Sequence, residues 1–134
     1  MNKFHSDDKI FVTGGAGFIG STLVKRIIQS TEAHVVNIDS LSYASNLSSL
    51  DSISDNERYF FEKVDLNERE KLKELFKKYN PSYILNLAAE SHVDRSIDSP
   101  DIFMKSNVFG TFNLLEEFRS YINRSKADGT KEPL

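Results

Sequence analysis

Twelve residues near the amino terminus, Lys9-Ile-Phe-Val-Thr-Gly-Gly-Ala-Gly-Phe-Ile-Gly20, narrow most sharply what this chain can fold into. An apolar, β-branched run enters a cluster of four glycines and leaves it as a helical pattern. Glycine is needed where the chain turns tightly, where backbone must approach a ligand, and where a helix packs on a strand with no Cβ between them. The helix that follows points free N–H groups and its positive dipole end at an anion. The segment therefore reads as a cradle for a dinucleotide pyrophosphate. Two registers fit, Gly15-x-Gly17-x-x-Gly20 and Gly14-x-x-Gly17-x-x-Gly20, and spacing does not choose between them; Gly17 and Gly20 serve in both.

The flanking sequence completes a βαβ unit. Residues 9–13 suit a buried strand, Phe18 to Ser30 carries apolar residues at helical spacing (Phe18, Ile19, Leu23, Ile27), and His34-Val-Val-Asn-Ile-Asp39 suits a second strand ending in an acid. Asp39 lies nineteen residues past Gly20, where a carboxylate accepts hydrogen bonds from the adenosine ribose hydroxyls. A solvated strand-end aspartate is the plainer alternative. An acid there repels a 2′-phosphate and no arginine follows it, so NAD is favoured over NADP.

Alternation continues downstream. Ser40 to Glu57 is a polar loop with a short helix near Asn46 to Ile53, Arg58 to Asp65 is a third strand, and Glu68 to Tyr79 is an amphipathic helix ended by Asn80-Pro81. Ser82 to Leu87 is a fourth strand. Strands alternating with helices predict an α/β, Rossmann-type parallel sheet with helices on both faces and right-handed crossovers, reaching about four strands in this chain. Asp98-Ser-Pro-Asp101 starts a helix expected to run to Tyr121, with Phe103, Val108, Phe112, Leu115 and Phe118 apolar. The expected organisation is one partial dinucleotide-binding domain over residues 1–122 and a disordered polar tail over residues 123–134.

With 134 residues there is room for one core. A net charge of −3, with no basic block, leaves no electrostatic footprint for nucleic acid. The absence of cysteine excludes disulfides and thiolate metal sites, and His5, His34 and His92 lack ligand spacing. The polar, acidic start and the lack of any membrane-length apolar run make the cytoplasm the expected compartment.

Ligands of such sheets lie at the carboxyl ends of the strands. After the third strand Asp65 is placed to take the adenine amino group while Leu66 covers the ring, although Asp65 also suits a helix cap before Glu68. After the fourth, Ala88 and Ala89 let backbone pass close to a flat cofactor, and Ser91 offers a hydroxyl near where nicotinamide and substrate meet. Tyr59-Phe-Phe-Glu-Lys63 satisfies a catalytic Tyr-x-x-x-Lys spacing, yet that pair works only on a helix; on a strand its ends lie about 13 Å apart. Tyr59 is expected to pack. Glu90, His92 and Asp94 are read as shaping the loop, Asp94-Arg95 as an ion pair, and Asn107 as satisfying buried backbone.

Thr13 to Gly20, Asp65-Leu66, Leu87-Ala-Ala-Glu-Ser-His-Val-Asp-Arg-Ser-Ile97 and Ser106-Asn-Val-Phe-Gly-Thr111 resemble the extended short-chain dehydrogenase/reductases. Asp39-Ser-Leu-Ser-Tyr-Ala-Ser-Asn46 and Ala89 to Ser96 are most similar to the nucleotide-sugar enzymes of that family, over residues 9 to 121. The resemblance implies NAD as cofactor, with Phe18 and Ile19 on the pyrophosphate by backbone; Asp39, Ser40, Leu41 and Ser42 on the ribose; and Asp65 and Leu66 on adenine. It implies Leu87, Ala88, Ala89 and Ser91 beside the nicotinamide, Ser91 also touching a sugar substrate, and Ser106 near the cofactor. Ser40 stands where many members carry lysine, and Ser106 where they carry threonine. The implied chemistry moves hydride from sugar C4 to NAD+, eliminates water across C5 and C6, and returns hydride to C6. Its Thr-Asp-Glu and Tyr-x-x-x-Lys segments do not occur here on the expected elements, so no catalytic residue is assigned, and the chain alone is expected to be inactive. A nucleotide sugar is a partner only with a carboxyl-terminal half, and a homodimer through the helix at 99–121 is implied. A non-enzymatic nucleotide-binding module, a remnant, or half of another sugar epimerase or dehydratase are the alternatives.

Overall fold

The structure, a computed structural model, describes residues 4–129. It consists of β1 (Lys9–Thr13), α1 (Phe18–Ser30), β2 (His34–Asp39), a 3₁₀ segment (Leu47–Ile53), β3 (Tyr59–Lys63), α2 (Arg69–Tyr79) and β4 (Tyr83–Asn86). Four further helical pieces follow: α3 (Val93–Asp98), α4 (Pro100–Phe103), a π-helical segment (Met104–Gly110) and α5 (Thr111–Ala127). The strands form one parallel sheet in the order β3-β2-β1-β4. This is the Rossmann-type arrangement that the alternation predicted.

Side chains alternate across the pleat, and each face finds its own helices. Ile10, Val12 and Val35 pack with Val24, Ile27 and Ile28 of α1 and with Leu50 and Ile53 of the 3₁₀ segment. Phe11, Val36 and Ile38 pack with Leu72, Leu75 and Phe76 of α2 and with Leu114 and Tyr121 of α5. Burial on both faces explains why β1 and β2 read as continuous apolar runs. Among the described residues, no helix is long and apolar enough to cross a membrane.

Three expectations need correction. The single helix expected from Asp98 to Tyr121 is instead α4, the π-helical turn and α5 in succession, preceded by α3, which spacing did not reveal. Val93 and Ile97 of α3 are spaced four apart but are 71% and 75% exposed, and the helix is only six residues long with none buried, so its apolar pair is too short a signal to read. The polar tail does not begin at residue 123: α5 continues to Ala127, with Ser125 buried and Arg124 and Lys126 in the last turn, where cations suit the helix dipole. Residues 130–134 of that expected tail lie outside the described residues. Finally, Arg95 forms no ion pair with Asp94; its guanidinium lies 3.5 Å from the Tyr43 ring centroid.

Candidate functional site

The strand order reverses between β1 and β4, and the carboxyl ends of the strands there open onto a cavity of about 430 Å³. Local chemistry builds this crevice. The Thr13 hydroxyl donates to Asn86 Oδ1 and accepts from the N–H groups of Leu87 and Ala88, each at 3.2 Å, so it stitches the end of β1 to the turn after β4. Gly14 N–H meanwhile donates to Ile38 O on β2, at 2.9 Å.

The glycines divide their work. Gly14 has φ +67°, and a Cβ there would lie 2.7 Å from Ala88 backbone, so both conformation and space demand glycine. A Cβ on Gly15 would come within 2.2 Å of Asn37 Oδ1, and one on Gly20 within 2.1 Å of Gly14 O, where helix meets turn. Gly17 lines the cavity and is the N-cap of α1, with no side chain capping the helix. The N–H groups of the first turn are left for an external acceptor, and the dipole favours an anion there.

Asp39 is 5% exposed and accepts three hydrogen bonds: from Ala16 N–H (2.9 Å) at Oδ2, and from Leu41 N–H and the Ser45 hydroxyl (2.8 Å each) at Oδ1. It therefore braces the glycine turn against the loop after β2 while still lining the cavity. Leu41 takes φ +57° to make its bond. On the far wall, half-buried Asn107 accepts from Glu90 N–H (2.7 Å) at Oδ1 and donates from Nδ2 to Glu90 O (2.8 Å), which fixes the backbone after β4. Asp65 Oδ1 accepts from Asn67 N–H and Nδ2, while Glu68 is the N-cap of α2.

Of the sixteen sequence-nominated cofactor residues, Gly14, Gly17, Asp39, Ser40, Ser42, Asp65, Leu66, Leu87, Ala88, Ala89 and Ser106 line this one cavity, although they come from the end of β2, from the connections after all four strands and from the π-helical segment. Gly20 lies beneath it, and Leu41 supports Asp39. The Phe18 and Ile19 side chains face solvent, 91% and 70% exposed, and Ser91 is exposed outside the lining. Sequence reasoning did not nominate Ser45, Asn67, Ile102 and Lys105 and read Glu90 only as shaping the loop, yet all five also line it. Three of these sit one or two residues from a nominated position, so adjacency on the loops was the available signal.

Tyr59 and Lys63 lie at opposite ends of β3. Burial pushes the Tyr59 phenol above its ordinary pKa and Asp39 adds to that, against a hydrogen bond from Asn37 Nδ2 (3.1 Å) that pulls the other way. A phenol so placed is a packing residue and a poor base.

The chain matches the family model described as GDP-mannose 4,6 dehydratase over residues 11–130. It is 56% identical over 113 residues to a dTDP-glucose 4,6-dehydratase of Neisseria meningitidis, and 48% identical over 120 residues to dTDP-glucose 4,6-dehydratase 1 of Escherichia coli K12. These matches cover 84% and 90% of this chain but 32% and 33% of those proteins, so the chain spans about a third of their length. Among solved structures, dTDP-glucose 4,6-dehydratase of Bacillus anthracis in complex with NAD superposes with TM-score 0.76 at 38% identity, over 85% of this chain and 34% of that one. UDP-glucose 4-epimerase of Thermotoga maritima with UDP-glucose gives 0.74 at 32%, over 84% and 34%.

Proposed function

This chain belongs to the GDP-mannose 4,6 dehydratase family, and we propose that it is the NAD-holding half of a dTDP-glucose 4,6-dehydratase. The observation that carries the reading is the cavity at the strand reversal, where the uncapped start of α1, the buried Asp39 and the Ala88-Ala89 backbone meet. These features fit a dinucleotide: N–H donors for the pyrophosphate, a carboxylate with acceptor capacity left for ribose hydroxyls, and a wall without bulky side chains for a flat ring. NAD supplies a hydride acceptor when bound. The chain's own part is to hold it: Phe18 and Ile19 by backbone N–H, Asp39, Ser40, Leu41 and Ser42 around the ribose, and Asp65 and Leu66 at adenine. Leu87, Ala88, Ala89, Ser91 and Ser106 flank the nicotinamide side. Identity favours a dehydratase over an epimerase, at 38% against 32% for the two solved relatives.

The lining contains Asp39, Asp65 and Glu90 but no tyrosine, and the part this reading gives its residues is to bind and orient. The same reading assigns the chain to the cytoplasm and gives it a homodimer contact along the helical run 99–121.

Calorimetric titration with NAD+ tests the cofactor assignment, with NADP+ and the Asp39→Asn and Asp39→Ala variants alongside and circular dichroism to check folding. Saturable NAD+ binding, weaker for NADP+ and reduced in a folded variant, is expected. A folded wild-type chain that takes up no NAD+ sinks the proposal and leaves an assembly module as the better description.

A further inference from the structure

The cavity has two opposing rims. One is the loop after β2, with Ser40, Ser42, Ala44 and Ser45 in the lining; the other is the segment after β4, with Ala88, Ala89 and Glu90. Tyr43, between two lining residues, is 53% exposed. Its partner is across the gap. The Arg95 guanidinium of α3 lies 3.5 Å from the ring centroid, and the His92 ring meets the same tyrosine edge-on with centroids 6.1 Å apart.

We propose that Tyr43 and Arg95 form a strap that joins the two rims over the crevice and sets how fast a bound dinucleotide escapes, which rests on the cofactor reading above. The loop is anchored on its own side of the sheet: Ala16 N–H, Leu41 N–H and the Ser45 hydroxyl donate to Asp39, and Asn46 N–H donates to Ala16 O. On the other side, Asn107 fixes Glu90 from the π-helical segment, so the second rim is also held at its base. Both rims are thus hydrogen-bonded below and bridged above by the side-chain stack of Tyr43 with Arg95 and His92. No carboxylate among the described residues pairs with Arg95. A guanidinium that stacks on an aromatic face instead of pairing is weakly hydrated and planar, so the contact survives in water yet opens without breaking an ion pair. Tyr43 and Arg95 are positioning residues in this scheme; neither is asked to react.

The test follows release of bound NADH by its own fluorescence after mixing with excess NAD+, in the wild-type chain and in Tyr43→Ala, Tyr43→Phe, Arg95→Ala and Tyr43→Ala/Arg95→Ala. Hydrogen exchange of residues 40–46 is read in the same proteins without cofactor. Release about two- to five-fold faster is expected in either alanine variant, the double variant being no faster than the singles, with Tyr43→Phe at the wild-type rate because the ring face is retained. Exchange in the loop should quicken in Arg95→Ala although that residue is on another element. Wild-type release and loop exchange in Arg95→Ala overturn the strap. If the wild-type chain binds no NADH, the cofactor assignment has failed, and loop exchange alone still decides whether Arg95 holds the rim.

Discussion

Gly15 and Asn37 share one small volume beneath the glycine turn. Asn37 is fully buried, donates to the Tyr59 hydroxyl, and presses its amide oxygen toward the Gly15 Cα. Gly15→Ala therefore forces a Cβ into that oxygen, and thermal unfolding should show a loss of about 2 kcal/mol or more. Asn37→Ala makes room, so adding it to Gly15→Ala should cost less than the two single losses added, by about 1 kcal/mol; strict additivity would refute the contact. This pair also shows what spacing could not say. The two glycine registers were indistinguishable along the chain because the deciding neighbours, Asn37 for Gly15 and Ala88 for Gly14, come from β2 and from the turn after β4. Asp39 was legible from its distance to Gly20, but its second duty was not, since Ala16 and Ser45 reach it only after folding.

At the scale of elements, two ties hold helices to the sheet's outer strand. Arg58, just before β3, donates to Ile28 O, Thr31 O and Ala33 O at 2.9, 2.8 and 3.1 Å, so a guanidinium caps the carboxyl end of α1, which has no basic residue of its own in its last turn. Arg58→Ala should lower stability by about 2 kcal/mol, measured by denaturant unfolding, and Arg58→Lys should recover only part because an ammonium cannot reach three carbonyls in the fork geometry. The second tie is Glu62 of β3, which accepts from Lys78 Nζ and the Tyr79 hydroxyl of α2, both at 2.7 Å. Burial pushes the Glu62 carboxyl up, but these two bonds outweigh it and hold it below its ordinary value. A carboxyl depressed by folding contributes stability that is fully present above its unfolded pKa and lost as pH falls through the folded one. The stability gap between wild type and Glu62→Gln should therefore be largest near neutrality and close on acidification; a gap constant with pH would count against the tie. Strands and long helices were readable here because burial on one or two faces imposes a period. The π-helical turn was not, because nothing in its spacing shows the contacts it makes elsewhere: Ser106 lines the cavity while its neighbour Asn107 holds Glu90.

For the molecule as a whole, the two cores account for the fold, but a third apolar surface stays bare. Met104, Val108, Phe109, Phe112 and Leu115 are each about half exposed, while α5 turns Leu114, Glu117 and Tyr121 inward. The homodimer contact proposed above would lie on this surface. Sedimentation velocity should show the wild-type chain self-associating and Phe112→Glu/Leu115→Glu shifting toward monomer with unchanged unfolding behaviour; a wild-type chain that stays monomeric at high concentration rules out the helix contact. The order of the sheet has a consequence in time. β1, β2 and β3 pair with sequence neighbours, whereas the Thr13–Asn86 link that joins β1 to β4 spans 73 residues. At ribosomal rates of about 5 to 20 residues per second, one edge of β1 waits several seconds for its partner. The cleft where that edge is closed is the cavity itself, so during synthesis the proposed binding site stays unsewn until the chain beyond β4 has emerged.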